Sequence, residues 1–465
     1  MKLTWLHKGC DTRRLILVAA GWSTAPGFYR NLKKKGWDIA LIWNDSDNQD
    51  ADYVAMVNEI ESAYSTIYLY GWSLGVTVSE RLYEAGLRPT AAFAINGTAR
   101  PASNSEGIPV TIFRGTAKHL DEDHLKRFRA RISGGIKDYY KIAELFEDSL
   151  DWQVLQRQLF AEEAAAHPEA LPWTLAFVGK ADAVFLPEMQ IRHWQRRGVD
   201  LREMDAPHYI PLQSVIDSTI VDLERAGRRF ARSVPTYDNH ASAQRMIASR
   251  LASLAAEVKG EDCTIRGMLE IGCGTGLLSH SLGRLFKVQD ATFVDLYPCG
   301  PFDIARDEHY IVGDAEAVVE SLDGRYDLIT SASAIQWFSD TSRFLKACSD
   351  LLADDGVVAI SSFTRGNLAE LDSMRTSNIG YLSAMQLRMI ASQYFSRVEV
   401  IEEELVLTFS TPAEALRHLQ LTGVTASTPA SMSAAELRRR IADYPLADDG
   451  SAKLTFRPVY IIARK

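Results

Sequence analysis

Short, nearly uninterrupted apolar runs recur through the first half of the chain: RLILVAAGW (14–22), DIALIW (38–43), STIYLYG (65–71) and AAFAING (91–97). Runs of about four to eight residues without polar alternation predict strands buried on both faces. Between them, 27–35 and 76–85 place apolar residues at helical spacing and predict amphipathic helices. From about Leu120 to Ala166 the strand signal stops. Charged, helix-periodic sequence takes over (DEDHLKRFRARI, IAELFEDSLDWQVLQRQLFAEEAAA) and predicts a helical cap inserted into the sheet order. Strand and loop return in WTLAFVGKADAVFLP (173–187) and DLREMDAPHYIPLQ (200–213). A charged stretch from Ser214 to Thr236 then predicts helix without a core strand. After it the rhythm starts afresh with GMLEIGCGTGLLSHSLGRLF, ATFVDLY, HYIVGDAEAVV, YDLITSASAIQWF and DGVVAISSF. Strands alternating with helices predict two α/β domains, each a mostly parallel sheet with covered faces. The restart puts the boundary near residue 225, with domains over 1–220 and 226–465.

The totals narrow the class. At 465 residues, 46% hydrophobic and 24% charged, the chain has material for two substantial cores. A net charge of −9 argues against a nucleic-acid footprint. No apolar run approaches the roughly 20 residues that span a bilayer, and the N-terminal stretch has no small-residue cleavage site, so no membrane partner is expected. The five cysteines form neither a disulfide framework nor a zinc spacing. No metal is expected, and the compartment reads as the reducing cytoplasm.

IYLYGWSLGVTV (67–78) places Ser73 between Gly71 and Gly75 where a strand passes into a helix. A bare G-x-S-x-G arises often by chance. At a strand-to-helix junction it predicts a nucleophile elbow, a strained turn that lifts the hydroxyl clear of an α/β-hydrolase sheet. A serine needs a base, and the base needs an orienting acid, in the chain order Ser, acid, His. His208, in DAPHYIP, is the expected base, and Asp182, in GKADAVF, the expected acid. Glu106 in SNSEGIP is an alternative acid, and Asp205 is also close in sequence. The oxyanion hole is expected from the backbone N–H groups of Leu74 and Trp22. The alternative for Trp22 is a packing residue beneath the cap.

In the second half, MLEIGCGTG (268–276) is a strand ending in a turn where Gly272, Gly274 and Gly276 allow close backbone approach to a ligand. Asp295 ends the next strand, where an acid binds ribose hydroxyls. Asp314 and Ala315, in VGDAEA, suit an adenine ring, and Glu270 suits the amine of a methionine moiety. The order E-x-G-x-G-x-G, strand-D, G-D-A predicts a Rossmann-like S-adenosylmethionine-dependent methyltransferase rather than a nicotinamide enzyme, whose G-x-G-x-x-G spacing is missing.

Residues 1–215, on AAGWS, YGWSLGV, AINGT…GIP, FRGT and PHYIP, resemble pimeloyl-acyl-carrier-protein methyl ester esterases of the BioG type. Residues from about 225 to 465, on RRFARSVPTYDNHASAQ, ASAIQWFSD, SSFTRGNLAELD and LTFRPVYIIARK, resemble malonyl-acyl-carrier-protein O-methyltransferases of the BioC type. The two resemblances imply a bifunctional enzyme of biotin synthesis whose partner is acyl carrier protein. One half would cap malonyl as a methyl ester and the other would uncap pimeloyl after elongation. They imply S-adenosylmethionine as cofactor of the second half, none for the first, and substrate contacts from Tyr237, Gln336 and Trp337. Arg365, Arg375 and Arg457 are open candidates for pairing the malonyl carboxylate. Basic runs around 118–141 and 224–233 are candidates for receiving an acidic carrier, although such runs are more often solvated helix faces. The chain departs from the expected acidic pattern at Ser103 and Asn104, which leaves Asp182 and Glu106 as the acids to weigh. A methyltransferase for another carboxylate or hydroxyl, joined to a general esterase or to an inactive docking module, is the rival reading.

Overall fold

In the computed structural model, described for residues 2–9, 13–43, 50–146, 151–374, 381–422, 438–439 and 441–465, the chain forms two compact units, Met1–Ile216 and Asp217–Lys465. The expected domain start at residue 226 falls inside a helix, Leu223–His240.

The first unit is built on seven strands: β1 (Lys2–His7), β2 (Arg14–Ala19), β3 (Asp38–Trp43), β4 (Thr66–Trp72), β5 (Ala91–Ile95), β6 (Leu175–Gly179) and β7 (Leu201–Met204). Their order is β1-β3-β2-β4-β5-β6-β7, parallel throughout except for β1, which pairs antiparallel with β3 at the edge. Every residue of β4 is buried, because helices cover both faces of a parallel sheet. The helix Gly75–Glu84 leaves β4 so closely that a Cβ on Gly75 would collide with the carbonyl oxygen of Ala19. A Cβ on Gly97 would collide with the carbonyl oxygen of Ser73. These two glycines are the spatial condition for the turn around Ser73.

The cap between β5 and β6 consists of helices Val110–Lys118, Glu122–Ile132, Ile136–Ile142 and Trp152–Ala164. It begins ten residues before Leu120, where the sequence places it. VTIFRGTAK is rich in β-branched residues, but it buries Phe113 and Ala117 one helical turn apart, and that packing overrides local propensity. Asn104 Oδ1 accepts from Val110 N at 2.9 Å and starts this helix. The helix expected over 27–35 shrinks to Pro26–Tyr29, since Lys33, Lys34 and Lys35 supply no apolar face to continue it.

The second unit has a sheet of β8 (Thr264–Ile271), β9 (Lys287–Asp295), β10 (Ala305–Val312), β11 (Tyr326–Ala332), β12 (Leu352–Phe363), β13 (Arg397–Glu402) and β16 (Pro458–Arg464), beside a ribbon of β14 (Leu405–Phe409) and β15 (Ala452–Phe456). The order is β10-β9-β8-β11-β12-β16-β13, with β16 antiparallel to both neighbours. The strand order reverses direction between β8 and β11, the switch point where an open α/β sheet receives its ligand. This is the Rossmann-like fold of the S-adenosylmethionine-dependent methyltransferases, and the first unit is an α/β-hydrolase fold with a helical cap. Among the described residues, no helix is long and apolar enough to cross a membrane.

Candidate active sites

The elbow of the first unit stands where β4 ends. Ser73 adopts φ 56°, a left-handed conformation that is uncommon outside glycine and stores strain at the turn. Ser73 N donates to Ile95 O at 2.9 Å, which fixes the turn to β5. His208 lies on the loop after β7 and is 1% exposed. Its Nδ1 is 2.9 Å from Asp182 Oδ2. Asp182 Oδ1 accepts from Val184 N and Phe185 N at 2.8 and 3.0 Å, and Oδ2 also accepts from Gln190 Nε2 at 3.0 Å. An acceptor-only carboxylate on Nδ1 fixes the tautomer with Nδ1 protonated and leaves Nε2 as the basic nitrogen.

Three residues that the sequence did not single out hold this pair against the elbow. Trp72, the residue before Ser73, donates from Nε1 to His208 O at 3.1 Å, and its ring centroid lies 5.7 Å from that of His208. Phe185 stacks on the same imidazole at 6.0 Å. Asn96, at the end of β5 with φ 44°, donates from Nδ2 to Pro207 O and His208 O at 3.0 and 2.8 Å and accepts from Gly179 N at 2.6 Å. The Asn-Gly dipeptide at 96–97 is the one local signal that could have drawn attention to it, since asparagine tolerates that backbone conformation.

Glu106 is placed elsewhere. Its carboxylate takes a two-pronged hold from Arg196, Nε to Oε1 at 2.7 Å and Nη2 to Oε2 at 2.8 Å, and lies 3.0 Å from Nδ1 of the buried His193. Asp205 is exposed and pairs with Lys180 at 3.0 Å. Of the candidate acids, the fold brings Asp182 to His208. The Arg196 hydrogen bonds hold Glu106 down at about 2 against burial, and burial pushes His193 down to about 4. A carboxylate with a depressed native pKa stabilises the fold above its ordinary value near 4.5 and loses that contribution as pH falls toward 2. Glu106→Gln is therefore expected to lower the melting temperature near neutrality. The gap to the parent chain should close as pH falls from about 5 to about 2. A gap independent of pH in that window would remove the ion pair as its cause.

The two residues expected to supply the oxyanion donors, Leu74 and Trp22, line one cavity with Ser73. Among the described residues neither the backbone N–H of Leu74 nor that of Trp22 donates to a protein acceptor. The Trp22 loop is tied down by hydrogen bonds: Tyr29 Oη accepts from Gly21 N at 3.1 Å and meets Thr24 Oγ1 at 2.9 Å, and Ser23 sits at φ 65°. The indole of Trp22 reaches the cap, donating to Leu155 O at 3.0 Å and meeting Phe128 edge-on at 4.7 Å. Packing under the cap and a free backbone donor therefore coexist at this residue. Beside Ser73 opens a cavity of about 100 Å³ under the cap, walled by Trp22, Leu74, Phe113, Phe128, Leu159 and Phe185. Arg131 reaches it as the one cation among its lining residues.

In the second unit the glycine turn after β8 holds Gly272, Gly274 and Gly276 at φ 68°, 55° and 85°. Gly274 N donates to Asp295 Oδ2 at 2.8 Å, and Leu296 N to Asp295 Oδ1 at 2.7 Å, so the acid ending β9 also shapes the turn. Burial raises the pKa of Asp295. Glu270 accepts from Ser279 Oγ at 2.7 Å, and its full burial raises it to about 8. Asp314 caps the helix Ala315–Ser321 by accepting from Glu316 N at 3.1 Å. Glu316 in turn accepts from Ser339 N and Asp340 N at 2.9 and 2.7 Å, which holds the loop after β11 beside the end of β10. Gln336 and Trp337 lie on that loop, with Gln336 Nε2 donating to Ser333 O at 2.6 Å.

The helix Leu223–His240 lies along this edge. Asp238 accepts from Thr275 Oγ1 at 2.6 Å, Phe230 meets Trp337 edge-on at 5.9 Å, and burial raises the pKa of the Tyr237 hydroxyl. Tyr237, Gly274, Asp295 and Trp337 thus come to one end of the sheet. The residues fit a nucleoside bearing an amine. Among the described residues, a Cβ on Gly274 would meet only the Tyr297 hydroxyl, at 3.7 Å, and three buried hydroxyls along the same edge, Thr330, Ser331 and Ser333, have no hydrogen-bond partner. Arg457 pairs with Glu404 at 2.8 Å, and Arg375 lies outside the described residues.

Residues 237–402 match the family model of a methyltransferase domain. A malonyl-[acyl-carrier protein] O-methyltransferase of Porphyromonas gingivalis is 34% identical over 252 residues, covering 52% of this chain and 96% of the relative. The chain belongs to the malonyl-[acyl-carrier protein] O-methyltransferase family. This family member carries a further domain, since residues 1–217 match the family model of pimeloyl-ACP methyl esterase BioG. A relative of the same name from Bacteroides fragilis is 29% identical over 476 residues, 98% of this chain and 94% of its own length, so the two-domain arrangement is shared. The crystal structure of BioG from Haemophilus influenzae is 30% identical over 45% of this chain and 94% of that one, with a TM-score of 0.40.

Proposed function

We propose that this methyltransferase-family chain is a bifunctional enzyme that methylates the free carboxylate of malonyl-acyl carrier protein and hydrolyses the methyl ester of pimeloyl-acyl carrier protein, in the making of biotin's pimeloyl chain. The observation that carries the reading is the Asp182–His208 pair held by Trp72 and Asn96 beside a strained serine, in a BioG-type domain joined to a methyltransferase of this family.

In the first half, Ser73 Oγ attacks the ester carbonyl carbon while His208 takes its proton on Nε2, and Asp182 stabilises the imidazolium. The oxyanion is received by the N–H groups of Leu74 and Trp22. His208 returns the proton to the departing methoxide, and water then cleaves the acyl-enzyme by the same route. The apolar cavity under the cap takes the acyl chain. In the second half, S-adenosylmethionine supplies a methyl group activated by its sulfonium. Glu270 receives the cofactor's amine, whose charge offsets the desolvation of that carboxylate. Asp295 receives the ribose hydroxyls, and Asp314 with the Ala315 backbone receives the adenine. Tyr237, Gln336 and Trp337 align the malonyl carboxylate and exclude water. The carboxylate is already a nucleophile, so this half requires no general base.

A chain that makes malonyl methyl ester must not destroy it, so the esterase half has to discriminate by acyl length. Pimeloyl has four more methylenes than malonyl to bury in the cavity. At about 0.8 kcal/mol each, kcat/KM is expected to favour the pimeloyl ester by about a hundredfold. The test gives Ser73→Ala protein S-adenosylmethionine and malonyl-acyl carrier protein and weighs the carrier for an added methyl. It then gives the parent protein both methyl esters. No methyl gain on a folded, cofactor-binding protein would reject the malonyl assignment. Equal hydrolysis of the two esters would reject the role of the cavity.

A further inference from the structure

Two cysteines of the second unit have no place in either reaction. Cys273 stands inside the glycine turn, between Gly272 and Gly274, and is 5% exposed. Cys299 follows Asp295 by four residues on the loop between β9 and β10 and is half-buried. Both are free thiols, and their sulfurs lie 3.0 Å apart. The turn that carries Cys273 is tied to β9 at two points, Gly272 N to Val294 O at 2.7 Å and Gly274 N to Asp295 Oδ2 at 2.8 Å. The thiol pair therefore bridges the two segments that flank the nucleoside site.

We infer that Cys273 and Cys299 are a reversible modification site for peroxide-class oxidants, closing to a disulfide that ties the glycine turn to the β9–β10 loop and lowers affinity for S-adenosylmethionine. A disulfide needs its sulfurs at about 2.05 Å, so each side has to yield by about half an ångström. The left-handed glycines on either side of Cys273 make the turn the segment that moves. Movement there displaces Gly274 N–H from Asp295, the acid assigned to the ribose.

The chemistry balances with the peroxide alone as oxidant. The Cys299 sulfur is the nucleophile, because the hydrogen bond from the Cys273 thiol lowers its pKa and it is the less buried of the two. It attacks one peroxide oxygen, forming S–O as O–O breaks, and the departing hydroxide takes a proton to become water. Cys273 then attacks the sulfenic sulfur, forming S–S as S–O breaks, and the second oxygen leaves as water. Two thiols lose two electrons, and one peroxide becomes two waters.

The cross-link does not depend on the assigned activity, whereas the affinity change rests on the cofactor reading, and the experiment separates them. The full chain is treated with hydrogen peroxide, weighed intact and digested without reductant. The expected result is a loss of two hydrogens and a peptide joining Cys273 to Cys299. Both should be absent from Cys273→Ser and Cys299→Ser and reversed by dithiothreitol. Calorimetric titration with S-adenosylmethionine should then give an affinity about tenfold weaker for the oxidised protein, restored on reduction. Both cysteines alkylating freely after treatment would overturn the site. A cross-link with unchanged affinity would overturn its coupling to the cofactor cleft. Failure of the reduced protein to bind the cofactor would instead overturn the cofactor reading and leave the cross-link standing.

Discussion

Replacing Ser73 with alanine is expected to bring hydrolysis of pimeloyl-acyl carrier protein methyl ester down by roughly a million-fold, to the limit of detection, as loss of a triad nucleophile does in serine hydrolases. Methyl transfer by the same protein should be unchanged. The elbow is held by backbone geometry, by Gly75 against β2 and by Ser73 N on Ile95 O, so the variant keeps its fold and the loss reads on chemistry. A fluorophosphonate probe should label the parent protein at Ser73 and leave the variant untouched. His208→Ala should cost about as much as the serine. Asp182→Asn should cost about ten-thousand-fold, because an amide there favours the wrong imidazole tautomer. Residual hydrolysis in Ser73→Ala close to the parent rate would mean that another group is the nucleophile. Absence of labelling in the parent chain would favour a docking role for the BioG-type half.

Asp295→Ala is expected to weaken S-adenosylmethionine binding by about a hundredfold, with ester hydrolysis untouched. Two effects add. The ribose loses a charge-assisted acceptor, for which a loss of about 1.5 to 3 kcal/mol is usual. The glycine turn also loses the acceptor of Gly274 N–H. Asp295→Asn retains an oxygen for the backbone and is expected to lose only about tenfold. Titration calorimetry checks both. If Ala and Asn variants bind as tightly as the parent chain, Asp295 serves the turn and some other residue holds the ribose.

How much of each site the residues announce depends on how local the governing physics is. Ser73 is legible because an elbow needs Gly71, Ser73 and Gly75 within five positions. The methyltransferase turn is legible because its glycines and the acid ending the next strand keep a fixed spacing. The Asp182–His208 partnership is a contact across 26 residues, and the alternative, Glu106, has an equally good local setting after a strand. Only the fold sends Glu106 to Arg196 and His193. Trp72 and Asn96 escape a local reading for the same reason, since their hydrogen bonds reach the His208 loop, 136 and 112 residues along the chain.

The sequence alone determined two α/β halves, the strands β2–β7 and β8–β12, the elbow and the glycine turn, but not β1 or β13–β16, because apolar periodicity and left-handed backbone positions are written in neighbouring residues. Tertiary structure decided where the cap begins, which acid meets His208, that the helix Leu223–His240 runs along the nucleoside edge, and that Cys273 and Cys299 meet. Each of these depends on which distant surfaces exclude water together, and burial against a distant partner leaves no mark on the local pattern.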